Sequence, residues 1–157
     1  MTMRLDYQAA APAGMKALGG VYGYVGQSLP KILVDLVYLR VSLINGCAYC
    51  IDMHTRDLVK EGVSLDKVAL VPVWHEAGIL FSDQEKVALR WAEVVTKVAE
   101  TAVPDAEFTA ARAAFSEKEI TDLTIAIGLM NTFNRLAISF RATPAAVKEA
   151  ELRKAVA

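Results

Sequence analysis

Two helix-start signals, each followed by a long apolar run, dominate the sequence. Residues 82–85 (Ser-Asp-Gln-Glu) and 116–119 (Ser-Glu-Lys-Glu) both match the capping box. In that motif the serine oxygen and the glutamate carboxylate accept hydrogen bonds from backbone N–H groups that would otherwise lack partners. Apolar side chains then recur every three or four positions over residues 87–98 and 120–140. This spacing predicts two helices with extensive apolar faces.

Helical spacing and helix boundaries recur along the rest of the chain. Residues 32–44 form another apolar-periodic run, which the Asn45-Gly46 pair interrupts. A further helix is predicted from about residue 47 to 60, with Gly62 as its C-terminal signal. Because no segment has a convincing β-strand pattern, the prediction is an all-α fold of about six to eight helices. Other helix starts are predicted at Pro30, Ser64, Pro104 and Pro144.

The composition predicts one compact domain that spans residues 1–157. Hydrophobic residues make up 54% of the chain and charged residues 22%, which supplies a core of ordinary size. Lys and Arg total 17 against 18 Asp and Glu, and no run of five like charges occurs, so neither nucleic acid nor an anionic membrane is a predicted partner. The glycine-rich residues 14–26 match neither a dinucleotide-binding motif nor a P-loop, and no cofactor is predicted.

The positive mean hydropathy, +0.31, raises the question of a membrane span. The best candidate, residues 123–133, lies between Asp122 and Arg135, whereas a spanning helix needs about 20 consecutive apolar residues. We interpret this stretch as a buried helix. Residues 1–11 lack the apolar stretch of a secretory signal, so a cytoplasmic protein is predicted.

The run over residues 120–140 also bears on assembly, because it is apolar on more than one helical face. A 17.0 kDa domain has limited interior in which to surround such a helix. We therefore predict a homo-oligomer in which part of this helix is buried against another subunit. The alternative is a central helix that its own chain surrounds.

The scarce reactive side chains cluster in one place. The chain contains two cysteines and two histidines, and three of these four, Cys47, Cys50 and His54, lie within eight consecutive residues. On a helix they share one stripe, with His54 one turn after Cys50. Unpaired N–H groups and the helix dipole at the start of this helix favour a thiolate. Two cysteines at this spacing can also close a disulfide reversibly, which indicates redox chemistry.

Two other interpretations of these residues stay open. The cysteines could be small buried hydrophobic residues. Thiolates and imidazole are also zinc ligands, but a structural zinc site usually needs about four, and among the cysteines and histidines only His75 could complete the set. His75 lies well away in sequence and is interpreted as a surface or packing residue, so no metal is predicted.

Residues 40–54 (RVSLINGCAYCIDMH) resemble the signature of the alkylhydroperoxidase D-like branch of the carboxymuconolactone decarboxylase superfamily. The resemblance extends over about residues 29–140. It implies a compact, oligomeric helical domain that acts as a peroxidase, with a small-molecule hydroperoxide as substrate and an external dithiol as reductant. Weaker likenesses carry it outside the signature, at residues 74–76, 81–82, 88–93 and 134–135.

The resemblance also implies roles for individual residues. Cys50 is expected to attack the peroxide, Cys47 to resolve the resulting sulfenic acid, and His54 to belong to a proton relay. A glutamate twelve residues before the first cysteine completes this relay in the family, and Asp35, one methylene shorter, holds that position here. Tyr49 stands where the best-studied branch has a second histidine. From the residues alone the order of the cysteines stays open, because Cys47 lies closer to the helix N-terminus.

The predicted relay requires a chain reversal between Asp35 and His54. In one straight helix twelve residues would separate Asp35 from Cys47 by about 18 Å along the axis. The Asn45-Gly46 break allows the first helix to fold back, so that Asp35 could meet His54 across a helix pair and orient its imidazole. The alternative is a solvated aspartate on an otherwise apolar helix.

Two alternative functions stand beside the peroxidase. The superfamily name suggests a lactone decarboxylase or related acid–base enzyme, in which the dithiol would be incidental. The other alternative is a redox sensor or oligomeric binding module in which the disulfide alters assembly. Thiol alkylation should inactivate a peroxidase, spare a decarboxylase and act mainly on the assembly of a sensor.

Overall fold

A computed structural model of the protein describes residues 2–156, and within them the chain is all-helical, with no β-strand. Seven α-helices have ten or more residues, in agreement with the six to eight predicted, and shorter helical turns connect them. The α-helices are α1 (Tyr7–Ala10), α2 (Pro12–Ser28), α3 (Lys31–Asn45), α4 (Ala48–Lys60), α5 (Leu65–Leu70), α6 (Asp83–Thr96), α7 (Val98–Thr101), α8 (Asp105–Ala114), α9 (Glu117–Phe140) and α10 (Ala145–Val156). Two 3₁₀ segments, Val71–Glu76 and Gly78–Leu80, lie between α5 and α6.

Helix α3 is the centre of the bundle and packs against α4, α6 and α9. Two clusters of buried side chains lie on either side of it. The larger core is shared by α2, α3, α6 and α9 and contains both cysteines. The smaller core joins α3 to α4, α5 and the first 3₁₀ segment. The start of α4 is therefore held against the larger core, while its later turns reach the smaller one.

Both predicted capping boxes are present. The Ser82 hydroxyl accepts a hydrogen bond from the Glu85 backbone N–H at 3.2 Å, and the Glu85 carboxylate accepts one from the Ser82 backbone N–H at 2.8 Å. Ser116 and Glu119 form the same pair of bonds at the start of α9. The predicted starts after Pro30, Ser64, Pro104 and Pro144 are also confirmed, each to within one residue.

Gly46 reverses the chain between α3 and α4. Its φ of +69° lies in the left-handed region, which glycine adopts without the steric cost that a Cβ atom imposes. Its backbone N–H caps α3 by donating to the carbonyls of Ser42 and Leu43. Helix α4 consequently folds back along α3, which places residues early in α3 beside the middle of α4.

Helix α2 is the element that sequence reasoning did not predict. It runs through the glycine-rich residues 14–26, and a Cβ atom at any of these glycines would meet nothing within 4 Å. The packing of α2 therefore does not require glycine at these positions. The missed signal is an apolar stripe at three and four spacing, formed by Met15, Leu18, Tyr22, Val25 and Leu29. Val25 and Leu29 belong to the larger core, and Met15 and Tyr22 line the cavity described below.

Helix α9 crosses the middle of the bundle. The segment Glu117–Ala155, which contains α9 and α10, is long and apolar enough to cross a membrane by composition alone. Nine residues of α9 are nevertheless buried within the described chain, so it serves as a core helix here. Ile125 and Ile138 are its exposed large apolar residues, and the rest of its exposed stripe is mostly small or polar. The chain itself thus covers most of this helix, and the homo-oligomer stays a prediction.

Candidate active site

The two cysteines meet at the start of α4. Cys47 is the N-cap residue, and its Sγ accepts a hydrogen bond from the Cys50 backbone N–H at 3.4 Å. The two Sγ atoms are 2.8 Å apart, well beyond the ~2.05 Å of a covalent S–S bond, so the structure shows two thiols in contact. Both side chains are buried. The first turn of α4 therefore holds the pair in register for disulfide formation.

The environments of the two thiols differ in charge. Hydrogen bonding from the Cys50 thiol, together with the backbone N–H groups of Cys50 and Tyr49, lowers the pKa of Cys47 to about 7 although burial opposes this shift. The pKa of Cys50 is raised, because its thiol is hydrogen-bonded to Cys47 and because burial and the charge on Cys47 disfavour a second thiolate. The start of α4 therefore favours a thiolate on Cys47 over one on Cys50.

This charge distribution predicts the pH dependence of thiol alkylation. Because only the thiolate reacts, the rate of modification of the reduced protein by iodoacetamide should rise with pH and reach its midpoint near the Cys47 pKa, at about 7. In the Cys47→Ser variant the midpoint should move upward, since Cys50 is then the only thiol and its burial disfavours the charge. A wild-type midpoint near 9.0, the ordinary value for a thiol, would contradict this account.

His54 lies one turn after Cys50 and is fully buried. Its Nδ1 atom faces two carboxylates, at 3.6 Å from Asp35 Oδ1 and 3.9 Å from Asp57 Oδ2. The ring of Tyr38 packs against the imidazole, with 5.1 Å between the ring centroids. Among the described residues, neither nitrogen of His54 nor the hydroxyl of Tyr38 has a direct hydrogen-bond partner. The imidazole is thus fixed by packing, with Nδ1 turned towards negative charge.

Asp35 is buried on α3 opposite His54, because α4 folds back after Gly46. Its Oδ2 atom accepts a hydrogen bond from Lys31 Nζ at 2.7 Å, which leaves Oδ1 towards the imidazole. Burial alone would raise the pKa of Asp35, but the His54 imidazole 3.6 Å away and the hydrogen bond and charge of Lys31 outweigh burial and lower the pKa. The structure therefore brings Asp35 and His54 together across the helix pair, and the relay role of Asp35 stays a proposal.

Three side chains around His54 could in principle hold a cation. One ligand atom each from Asp35, His54 and Asp57 lie within 4.8 Å of one another. The ammonium group of Lys31 already neutralises Asp35 from one side, so this cluster is better described as an ion-pair network. Within residues 2–156, no comparable group of three includes a cysteine, and the predicted absence of a metal stays a prediction.

His75 lies outside this cluster. Its ring stacks on Trp74 with 3.7 Å between centroids, and its Nε2 atom is 3.7 Å from Glu93 Oε2. The side chain is about half exposed. This position agrees with its interpretation as a surface or packing residue.

Cys50 opens onto an apolar cavity of about 300 Å³. Helices α1 and α2 cover one side of the cavity, and α4 and α9 form the other. No Lys, Arg, Asp or Glu side chain lines it, so it fits an uncharged, largely apolar molecule. Besides Cys50, its larger wall residues include Tyr7, Met15, Tyr22, Tyr49, Met53 and Phe133.

The family model for the Carboxymuconolactone decarboxylase family matches residues 9–94, more than half of the chain. The matched region includes Asp35, Cys47, Cys50 and His54. The chain belongs to the carboxymuconolactone decarboxylase family. The resemblance of residues 40–54 and the structural likeness to AhpD proteins both place the chain in the alkylhydroperoxidase D-like branch of this family.

Two relatives are similar over nearly their whole length. The uncharacterized protein YdfG of Bacillus subtilis (strain 168) is 35% identical over 140 residues, which are 88% of this chain and 95% of YdfG. The crystal structure of ATU0492 from Agrobacterium tumefaciens is 41% identical, with a TM-score of 0.87 over 91% of this chain and 98% of that one. ATU0492 is described as a protein of unknown function and as a suggested antioxidant defence protein, AhpD.

A more distant structure shows that the fold carries another activity. The debrominase Bmp8, solved with 2,3,4-tribromopyrrole, has a TM-score of 0.79 over 94% of this chain and 79% of its own. At 18% identity this likeness concerns the fold alone. Membership of the carboxymuconolactone decarboxylase family therefore identifies the scaffold, and the reaction has to be argued from the site.

Two buried polar residues near the cysteines, Ser42 and Asn134, were not assigned to the site by sequence reasoning. Asn134 on α9 is fully buried, and its side-chain amide donates to the Ser42 hydroxyl at 3.0 Å. The Asn45 side-chain amide in turn donates to Asn134 Oδ1 at 2.9 Å. The Asn134 amide also acts to lower the pKa of both cysteines, although the pKa of Cys50 is raised on balance. The available signal was the presence of Ser42 and Asn134 inside otherwise apolar helical runs, where a buried polar group needs a partner.

Replacing Asn134 with alanine should therefore destabilise the fold. The substitution removes the donor to the buried Ser42 hydroxyl and one of the two acceptors of the Asn45 amide, which is expected to lower the free energy of unfolding by about 2 kcal/mol. Urea denaturation measures this loss. Thr132→Ala is the matched control, because Thr132 is exposed on the same helix and its hydroxyl donates only to the Gly128 carbonyl. Equal stability of the two variants would contradict the structural role of Asn134.

Proposed function

We propose that this protein is a thiol-dependent peroxidase that reduces organic hydroperoxides with Cys47 and Cys50. The observation that carries the proposal is a contacting pair of thiols, 2.8 Å apart, of which one opens onto an uncharged apolar cavity. A dithiol can deliver two electrons without a cofactor, and the cavity offers the organic part of a hydroperoxide an apolar place beside the sulfur. Membership of the alkylhydroperoxidase D-like branch supports the same reaction.

The first step is attack by the sulfur that meets the substrate. Cys50 lines the cavity, while the resting charge lies on Cys47, so Cys47 accepts the Cys50 thiol proton across their contact as Cys50 attacks. The Cys50 Sγ then bonds to the terminal oxygen of the hydroperoxide, and the O–O bond breaks. The sulfur is oxidised to a sulfenic acid, and the peroxide is reduced to an alkoxide that takes up a proton to become the alcohol.

The second step closes the disulfide. Cys47 Sγ attacks the Cys50 sulfenic acid, and the departing hydroxide combines with the Cys47 thiol proton to leave as water. The overall change converts one dithiol and one hydroperoxide into one disulfide, one alcohol and one water. An external dithiol then restores both thiols and completes the cycle.

His54 and Asp35 are proposed to serve the proton transfer to the alkoxide. Nδ1 is turned towards Asp35, and the other ring nitrogen, which has no hydrogen-bond partner among the described residues, is the atom that we assign to the proton transfer. Helix geometry puts His54 one turn from Cys50. In this role Asp35 holds the imidazole orientation, and His54 moves the proton.

A peroxide-consumption assay tests the proposed function. Reduced protein should consume cumene hydroperoxide catalytically when dithiothreitol is in excess, and prior alkylation with iodoacetamide should abolish the activity. A lactone decarboxylase would survive alkylation and would not depend on the dithiol. A redox sensor would consume no more than one equivalent per chain and would change its sedimentation on oxidation. Either of those results would overturn the peroxidase assignment.

A further inference from the structure

The two sulfurs open onto different cavities. Cys50 lines the 300 Å³ cavity already described, whereas Cys47 lines a second cavity of about 170 Å³, between the start of α4 and the end of α9. Tyr49 and Ala137 line both cavities and therefore form the partition between them. The other walls of the second cavity are Gly46, Ala48, Ile138, Arg141 and Ala142. A molecule in the first cavity thus has access to Cys50, and a molecule in the second has access to Cys47.

The second cavity differs from the first in charge, because Arg141 lines it and no cationic side chain lines the first. Arg141 is the C-cap residue of α9 and has a φ of +57°, in the left-handed region where glycine is the usual residue. Among the described residues its guanidinium group pairs with no carboxylate. The wall of the second cavity thus holds an exposed, unneutralised cation, at a left-handed backbone position that favours glycine.

We propose that the external dithiol enters through the second cavity and attacks Cys47, while the hydroperoxide enters through the first and meets Cys50. The inference rests on the proposed peroxidase function and adds the site at which the reductant acts. The reductant must be slender, because Cys47 is only 1% exposed and the cavity is small. A thiol on the rigid surface of a globular protein cannot reach it, whereas a small dithiol, or one at the end of a flexible arm, can. Arg141 attracts the attacking thiolate.

The exchange balances as two successive displacements. The reductant thiolate bonds to Cys47 Sγ, the Cys47–Cys50 bond breaks, and its electron pair leaves on Cys50 Sγ, next to the cavity that receives the hydroperoxide. The second thiolate of the reductant then attacks the reductant sulfur that is bonded to Cys47 and releases Cys47. Because the pKa of Cys47 is low, about 7, Cys47 is a good leaving group in this second step. The reductant departs as its disulfide.

Two pairs of variants separate the half-reactions. Ala48→Leu narrows the second cavity, and Arg141→Gly removes its charge while relieving the backbone. Gly19→Leu narrows the first cavity, since a Cβ atom at Gly19 meets nothing within 4 Å. Arg135→Gln is the matched control for lost charge, because Arg135 is exposed on the same helix and donates only within its own turn.

Stopped-flow measurements of each half-reaction test the inference. Ala48→Leu and Arg141→Gly should slow reduction of the oxidised protein by dithiothreitol about 10-fold and leave oxidation by cumene hydroperoxide unchanged. Gly19→Leu should slow oxidation and leave reduction unchanged, Arg141→Lys should restore reduction, and Arg135→Gln should alter neither step. Reduction that Gly19→Leu slows and Ala48→Leu does not would overturn the inference.

A trapping experiment locates the attack directly. Protein oxidised with diamide is treated briefly with the monothiol 2-mercaptoethanol and quenched with excess iodoacetamide, which blocks the freed cysteine before it can attack the mixed disulfide. Tandem mass spectra should show the mixed disulfide on Cys47 and the carbamidomethyl group on Cys50, and the reverse placement would overturn the inference. Because diamide replaces the hydroperoxide, this result is independent of peroxide reduction. Failure of the wild-type protein to consume hydroperoxide would instead overturn the proposed function, so the two failures are distinguishable.

Discussion

Replacement of Cys50 by serine is expected to lower the rate of hydroperoxide reduction by at least about 10³-fold. Cys50 is the sulfur that lines the apolar cavity, and a serine hydroxyl is a poor nucleophile that cannot form a sulfenic acid or a disulfide. The rate is measured as loss of cumene hydroperoxide with dithiothreitol in excess. Serine is close to cysteine in size, so the helical circular dichroism spectrum should match that of the wild-type protein.

Cys47→Ser is the informative partner of this variant. It retains the attacking thiol but lacks the sulfur that accepts its proton and resolves the sulfenic acid. It should therefore react once per chain, more slowly than the wild-type protein, and then accumulate a Cys50 adduct with dimedone. Cys50→Ser should give no such adduct on Cys47, although Cys47 carries the resting charge. Near wild-type turnover by Cys50→Ser, together with an inert Cys47→Ser, would assign the attack to Cys47 instead.

Replacement of Asp35 by asparagine should lower kcat/KM for the hydroperoxide by about 10²-fold, the usual scale of a general acid–base contribution. The amide keeps the size of the side chain but removes the charge 3.6 Å from His54 Nδ1. The loss should fall on the oxidative half-reaction alone, measured by stopped flow, because only that step needs a proton for the alkoxide. Reduction of the disulfide by dithiothreitol should keep its wild-type rate.

Glu61→Gln provides the matched control for Asp35→Asn. Glu61 is the second carboxylate near Lys31, at 3.4 Å from its Nζ atom, and it makes no ion pair with His54. Its loss removes the same charge from the same ion-pair network and should leave both half-reactions unchanged. Equal losses in Asp35→Asn and Glu61→Gln would reduce the role of Asp35 to general electrostatics, and an unchanged Asp35→Asn would remove it from the relay.

Local signals in the sequence were sufficient for most of the helix boundaries. The capping boxes at Ser82 and Ser116 each depend on residues within one turn, so the sequence alone predicts them correctly. The shared stripe of Cys47, Cys50 and His54 is local for the same reason. Helix α2 was missed because glycine weakens the expectation of a helix, while the apolar stripe that anchors it becomes meaningful only against the larger core.

The remaining parts of the site depend on contacts between distant segments. The approach of Asp35 to His54 was anticipated from the Asn45-Gly46 break, but the ammonium of Lys31 on its other oxygen was not. The support that Asn134 gives to the thiols joins α9 to α3, across a separation of 92 residues to Ser42. The division of the two sulfurs between two cavities has no local signature at all, because four helices build the larger one.

The separation of charge from access distinguishes this dithiol from a single reactive cysteine. In the proposed mechanism Cys47 carries the thiolate, because the start of α4 supplies its hydrogen bonds, and Cys50 meets the hydroperoxide, because it lines the cavity that α1, α2 and α9 cover. The short contact between the sulfurs lets the proton move from one to the other when substrate arrives. A stable thiolate and an apolar substrate cavity can therefore coexist one helical turn apart.

Mass spectrometry of the intact protein after one equivalent of hydroperoxide tests the peroxidase proposal most directly. Fully reduced protein treated anaerobically with cumene hydroperoxide should lose two hydrogens, form a Cys47–Cys50 disulfide and release one cumyl alcohol per chain. An unchanged mass with intact hydroperoxide, or hydroperoxide loss with both thiols still free to alkylate, would contradict a dithiol peroxidase.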